Sequence, residues 1–235
     1  MNGGIKIMIR EIGDRIILAG VAHVLPQSKE EVERLIIEKK PRFVGVELCR
    51  KRYFELISNP NSREKKFEFS RAGILAYILS YLQERIGKKT GMLPGEEMLA
   101  AVKGANEIQA NVVLLDRNID ITLQRLLDKM SIFEKVQILF SILLLPFQSG
   151  EKIKLEDVTH EEVVEKLISS FKEFSQTAYT VLIEERNKYM ADRIWEILNS
   201  NSGKILCVVG AGHVPGLARE LESRFEEKEI SMKKD

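Results

Sequence analysis

Two of the three histidines in this chain stand in the same local setting. The sequence reads GVAH at 20–23 and GAGH at 210–213, so His23 and His213 each follow a glycine by three residues. With 15 glycines in 235 residues, the odds that two of three histidines share this spacing by chance are about 0.01. Imidazole binds divalent metals and moves protons near neutral pH. The pair therefore favours a site, although a capping or core histidine is the ordinary alternative for each motif alone.

A carboxylate stands in a third position of this kind. Glu47 ends the apolar run FVGV, where a charged side chain is costly unless it pairs or binds a cation. Together with His23 and His213 it makes a His-His-carboxylate set, which can hold zinc or another divalent metal and still leave room for water. The alternative is a strand-end glutamate that pairs in solvent with Arg50 or Arg52.

An arginine is predicted to face the core. Arg186 falls within the apolar stripe of a predicted helix, between Ile183 and Met190. A guanidinium in that place needs an anion, which Glu47, Asp116 or a substrate oxygen could supply. The alternative is a side chain that reaches the rim of the helix and the solvent.

Further polar residues are interpreted in different ways. Asp116 and Arg117 directly follow a predicted strand, and they either join the site or lie in a solvated loop whose aspartate caps the next helix. His160 stands at a polar helix start, so we expect it on the surface.

The elements that must position these residues are strands of a buried sheet. Apolar runs at 15–21, 42–48, 111–116 and 204–209 lack polar alternation, which is typical of parallel strands covered by helices on both faces. A further strand at 5–10 can pair with the first run through a turn at Gly13 and Asp14. Because parallel strands end at one edge, and ligands bind there, we expect the candidate residues to converge.

Helices fill the intervals between these strands. The sequence SKEE at 28–31 matches a capping box and predicts a helix that begins at Ser28 and ends near Lys40. Apolar residues at helical spacing predict further helices at 67–86, 95–110, 119–145, 155–174 and 179–198. The fold class is therefore α/β, with a mostly parallel sheet of about four or five strands. One domain spans 1–235, and helical insertions at about 58–110 and 119–200 form a cap.

Composition excludes several classes of function. Lys and Arg number 36 against 35 Asp and Glu, a net charge of +1, so no overall field favours nucleic acid or an anionic membrane. Cys49 and Cys207 are far apart without a CxxC spacing, which excludes a thiolate zinc cluster and gives no disulfide framework. A reducing compartment fits best, and we expect a cytoplasmic protein.

The most apolar stretch is too short for the membrane. Residues 136–147 form an apolar run, whereas a spanning helix needs about 20 residues. We expect this stretch, around Leu139, to lie in the core; the interface of a homodimer is the second interpretation, and membrane contact is the third.

Several motifs, in order along the chain, resemble one known family. They are GVAHV at 20–24, VELC at 46–49 with Arg52, LDR at 115–117 followed by Thr122, Leu123 and Arg125, EERN at 184–187 with Met190 and Ala191, and VVGAGHVPG at 208–216. Together they resemble the TraB/PrgY (pheromone shutdown) family, which is related to the Tiki metalloproteases and to the erythromycin-esterase/ChaN-like group. The resemblance covers about residues 15–220.

The resemblance implies an erythromycin-esterase/ChaN-like α/β fold and, in the Tiki branch, a metal-dependent peptidase. Carried over by position, it places His23, His213, Glu47, Arg186 and Asn187 at one site. We therefore expect a hydrolase of small peptides that uses Mn²⁺, Co²⁺ or Zn²⁺, bound by the two histidines and Glu47.

The expected catalytic roles follow from the residue types. Glu47 is either a metal ligand or the general base, Arg186 with Asn187 stabilises the oxyanion, and Asp116 and Arg117 complete the site.

Two other functions stay open at this stage. One is a non-catalytic protein that captures a peptide or a haem, and the other is a dimeric interaction domain with a vestigial site. Many members of the family continue into C-terminal transmembrane helices. This sequence contains no stretch long enough to span a bilayer. We therefore expect the chain to contact no membrane itself, unless it is an excised domain of a membrane-associated protein.

Overall fold

The architecture is a five-stranded α/β sheet with helices on both faces. A computed structural model describes residues 7–22, 26–58, 95–137 and 160–232. The strands are β1 (Met8–Ile12), β2 (Ile16–Val21), β3 (Phe43–Val46), β4 (Asn111–Leu114) and β5 (Ile205–Gly210). The helices are α1 (Pro26–Lys39), α2 (Arg50–Ser58), α3 (Glu96–Glu107), α4 (Ile119–Lys129), α5 (Glu161–Phe174), α6 (Gln176–Tyr179), α7 (Glu185–Ser200) and α8 (Val214–Met232).

The strand order is β1-β2-β5-β3-β4, and only β1 runs antiparallel. The last strand of the chain thus returns between β2 and β3. Val21 lies beside Gly210, and Val46 lies beside both Val208 and Leu114. The predicted α/β class and the mostly parallel sheet are confirmed, and the carboxyl ends of four strands share one edge.

Side-chain alternation divides the core between the two faces. On β5, Cys207 and Val209 pack with α7 and α8, whereas Leu206 and Val208 pack with α1 and α3. All six residues of β5 are buried, and this burial on both faces explains why the strand sequence lacks polar positions.

Two predicted helix boundaries were wrong. Helix α1 begins at Pro26, since the fixed φ of proline suits the first turn of a helix. Ser28 is therefore not a cap; its fully buried hydroxyl donates to the carbonyl of Ala22, 3.4 Å away. The predicted helix at 119–145 ends at Lys129, because Met130 is extended and Ser131 forms a capping box with Glu134.

The predicted helix at 179–198 is also divided. A π-helical turn, Thr180–Glu184, separates α6 from α7. In this turn the backbone N–H of Glu185 donates to the carbonyl of Thr180, five residues earlier. A short 3-10 turn, Ala211–His213, likewise joins β5 to α8.

Other predictions fall where the structure gives no description. The helix predicted at 67–86, most of the first insertion and the apolar stretch around Leu139 lie outside the described residues. Across the ranges that are described, no helix is both long and apolar enough to span a bilayer.

Candidate functional site

The carboxyl edge of the sheet brings three predicted residues together. Glu47 directly follows β3, and its backbone N–H donates to the carbonyl of Val208 on β5. Asp116 follows β4 and His213 follows β5 through the 3-10 turn. His213 Nε2 lies 3.3 Å from Glu47 Oε1. Of the two imidazoles expected beside Glu47 at this edge, that of His213 is observed there.

Arg186 joins these residues into one cluster, called here the Arg186 cluster (Glu47, Asp116, Arg186 and His213). Its Nε and Nη2 donate to the two oxygens of Asp116 at 3.0 and 2.8 Å, and Nη2 also donates to Glu47. Nη1 lies 2.9 Å from His213 Nε2 and 3.2 Å from the carbonyl of Leu182. A guanidinium has five N–H groups, so each one here has an acceptor. Both of the predicted carboxylate partners of Arg186 are observed.

The cluster is largely withdrawn from water. The side chains of Glu47 and Asp116 are 8% and 9% exposed, and that of Arg186 is 15% exposed. Burial alone would lower the pKa of Arg186, but the charges of Glu47 and Asp116 outweigh it and raise that pKa above its usual value. The guanidinium therefore stays charged and balances part of the negative charge of two buried carboxylates.

His213 is held from both ring nitrogens. Arg186 can only donate, so Nε2 of His213 accepts and Nδ1 carries the proton. Nδ1 donates to Oδ1 of Asn187 at 2.7 Å. Asn187, which we expected beside the oxyanion, is 3% exposed, and its Oδ1 orients the imidazole. A histidine that donates its second N–H to a carbonyl oxygen is typical of metal ligands.

The first glycines of the two GxxH motifs have different surroundings. Gly210 has φ −57°, which any residue adopts, and its N–H donates to Oε2 of Glu47 at 2.6 Å. At Gly20, an added Cβ would meet a side-chain atom of Val214 at 2.7 Å. At Gly20 the missing side chain therefore allows close contact with α8.

Arg117 belongs to a neighbouring group, called here the Glu185 network (Arg117, Arg125, Lys129 and Glu185). Its Nη1 donates to Glu185 at 2.9 Å and its Nε donates to Thr122 at 2.9 Å. The described hydrogen bonds of the Arg117 side chain reach neither Glu47 nor His213. Only its backbone N–H reaches the Arg186 cluster, through Asp116 at 2.9 Å.

Sequence reasoning gave Glu185 no role, yet it binds three cations. Arg125 donates to both of its oxygens at 2.8 and 2.9 Å, and Lys129 donates at 2.7 Å. The hydrogen bonds from Arg125, together with those from Lys129 and Arg117, outweigh burial and hold the pKa of Glu185 well below its usual value. The adjacent opposite charges in Asp116-Arg117 and in Glu185-Arg186 are the signal that could have predicted these ion pairs.

Two of the three predicted metal ligands, Glu47 and His213, lie among the described residues. His23 lies outside them, and no group of three His, Cys, Asp or Glu side chains suited to a metal occurs in the parts of the chain that are described. Glu47 and His213 supply two donors of suitable type and separation. His160 is exposed just before α5, as expected.

Comparison with known proteins gives consistent matches. The model of the TraB/PrgY/gumN family matches residues 7–224. An uncharacterized protein of Methanocaldococcus jannaschii is 37% identical over 92% of this chain. The TraB domain-containing proteins of Homo sapiens and Mus musculus are each 27% identical over 95% of it. The matched region makes up 56% of the archaeal relative and 67% of each mammalian one.

Proposed function

The chain belongs to the TraB/PrgY/gumN family, and on that premise we propose that it is a metal-dependent hydrolase of small peptides. The observation that carries the proposal is the convergence of Glu47, Arg186 and His213 at the carboxyl edge of the sheet. The proposed peptide class rests on the family resemblance.

The donor atoms fit a divalent ion in type and separation. Glu47 Oε1 and His213 Nε2 are 3.3 Å apart, close to the spacing of two ligand atoms on an ion with bonds of about 2.1 Å. These two residues, with His23 as the third, would hold the ion. When bound, such an ion supplies Lewis acidity, which polarises a carbonyl and acidifies water.

Arg186 would change partners during the reaction. All five of its N–H groups are paired with protein atoms, so it can stabilise an oxyanion only if one bond is released. The bond from Nη1 to His213 is the one to break, because Nε2 is the atom that the ion would take. One well-placed donor of this kind contributes about 3 kcal/mol to transition-state stabilisation.

Glu47 has two roles open to it, and substitution separates them. If Glu47 is a metal ligand, the Glu47→Gln protein should lose bound metal and activity together. If Glu47 is the general base, the same variant should keep its metal and lose only its activity.

The test combines metal analysis with a cleavage assay. The purified chain is incubated with a mixture of short synthetic peptides, with and without a chelator, and products are identified by mass spectrometry. We expect metal-dependent cleavage that His213→Ala abolishes. His160→Ala is the matched control, because it removes an exposed imidazole outside the cluster and should keep full activity.

Other outcomes contradict the proposal. A His23→Ala, His213→Ala double variant with full metal content and full activity would refute it. Peptide binding without product would support the capture function instead, and neither binding nor cleavage would favour the interaction domain.

A further inference from the structure

Two pairs of adjacent opposite charges bind each other crosswise. Asp116-Arg117 follows β4, and Glu185-Arg186 begins α7. The acid of each pair binds the arginine of the other, since Arg186 donates to Asp116 at 2.8 Å and Arg117 donates to Glu185 at 2.9 Å. We propose that Glu185 is a positioning residue that fixes the placement of Arg186 through Arg117 and the π-helical turn.

The π-helical turn is bound by both guanidiniums. Nη2 of Arg117 donates to the carbonyl of Val181 at 3.0 Å, and Nη1 of Arg186 donates to that of Leu182 at 3.2 Å. These carbonyls lie inside the widened turn, Thr180–Glu184. Arginine side chains therefore hold the segment that delivers Arg186 to the sheet edge. Inserted π turns often mark functional positions in helices.

Helical geometry explains why two adjacent residues are needed. Consecutive residues of a helix point about 100° apart, so Glu185 and Arg186 face different partners. Glu185 binds Arg125 and Lys129 on α4, whereas Arg186 binds Glu47 beside β3. Because the Glu185 carboxylate is bound to residues of α4, rotation of the first turn of α7 is limited. This restriction sets the direction of the Arg186 side chain.

Burial shows that the link is more than a surface ion pair. The Arg117 and Glu185 side chains are 11% and 16% exposed, whereas those of Arg125 and Lys129 are 46% and 45% exposed. Exposed pairs contribute little, whereas the buried Arg117 guanidinium is held in one orientation because it donates to Glu185, Thr122 and the carbonyl of Val181 at once. The placement of the Arg186 side chain does not depend on whether the chain is a hydrolase, so either proposal can fail without the other.

Hydrogen exchange of a side-chain proton tests the proposal. Nε–H of Arg186 donates to Asp116, and its signal in a ¹⁵N spectrum of the full chain is assigned by its loss in Arg186→Lys. We expect Glu185→Gln to speed exchange of this proton by at least about tenfold more than exchange of the backbone N–H groups of β5. Those backbone groups report opening of the whole core, so their acceleration measures the loss of global stability that the substitution also causes.

Glu196→Gln is the matched control. It makes the same change on the same helix, at a carboxylate that is 62% exposed and paired only with Arg193 among the described residues. Exchange at Arg186 should stay unchanged in this variant. Arg117→Lys, which keeps the charge and loses the planar fork, decides the test if Glu185→Gln does not fold, and the same acceleration is expected.

Three results would overturn the proposal. The first is an unchanged Arg186 proton in the folded variant. The second is equal acceleration of this proton and the β5 amides, which would show a general loss of stability. The third is failure of both variants to fold, because the network would then maintain the fold as a whole rather than place one side chain.

Discussion

Replacing Glu185 with glutamine should make stability less dependent on pH in the acid range. Hydrogen bonds from Arg125, then those from Lys129 and Arg117, hold the pKa of Glu185 in the folded chain well below its usual value of 4.5. The unfolded chain therefore binds a proton at Glu185 at a higher pH than the folded chain does. The stabilisation is complete above the unfolded pKa and is lost as pH falls toward the folded pKa.

The magnitude follows from proton linkage. In the unfolded chain the Glu185 carboxyl takes up a proton below its usual pKa, which lies about 1.5 pH units above pH 3, whereas in the folded chain it stays ionised. Between about pH 7 and about pH 3, the contribution of Glu185 to the free energy of unfolding therefore falls by up to roughly 2 kcal/mol. The side chain is 16% exposed, so solvent screening removes only part of this effect. Glutamine does not titrate, so the Glu185→Gln protein lacks this contribution at every pH.

Urea unfolding of both proteins, at the two pH values, measures the effect. The free energy of unfolding of both proteins is compared at about pH 7 and about pH 3. The decrease at the lower pH should be larger for wild type than for Glu185→Gln, by up to roughly 2 kcal/mol. Equal pH dependence in the two proteins would refute the reasoning, because it would mean that Glu185 titrates alike in the folded and unfolded chains. Glu196→Gln serves again as the exposed control and should follow wild type.

Further predictions concern the Arg186 cluster and the core. Arg186→Met should destabilise the chain by about 3–5 kcal/mol, since it leaves buried carboxylates without their cation, and adding Glu47→Gln should restore part of that loss in urea unfolding. Gly216→Ala should cost about 1–3 kcal/mol in the same measurement, because an added Cβ would overlap the buried Nδ2 of Asn187; Gly212→Ala, with open space around it, should be close to neutral. Burial raises the pKa of the Cys207 thiol, so alkylation near neutral pH should be limited by unfolding; rapid alkylation of the native chain would contradict this.

Strand positions were predictable from sequence because their cause is local. Each buried strand is a short apolar run, and the runs at 15–21 and 204–209 match β2 and β5 to within a residue. The hydrogen-bonded edge strand was displaced, since 5–10 was expected and Met8–Ile12 is observed. Polar and apolar residues alternate weakly there, so the pattern sets the boundary poorly.

Helix boundaries were less predictable because several local signals compete. A capping box was assigned at Ser28, where proline starts the helix two residues earlier, and the true box at Ser131 and Glu134 was passed over inside an apolar stretch. The π-helical turn had no signal in the periodicity. Apolar spacing on both sides of Thr180–Glu184 fits one continuous helix, and tertiary contacts widen that turn.

The chain by itself determined that a charged arginine in an apolar stripe needs an anion and that acidic and imidazole groups follow buried strands. Only the tertiary structure decided which groups meet. The return of β5 between β2 and β3 brings His213 beside Glu47. Arg186 then reaches carboxylates 139 and 70 positions away. Periodicity along the chain encodes which face of an element is buried, whereas an ion pair depends on how elements dock.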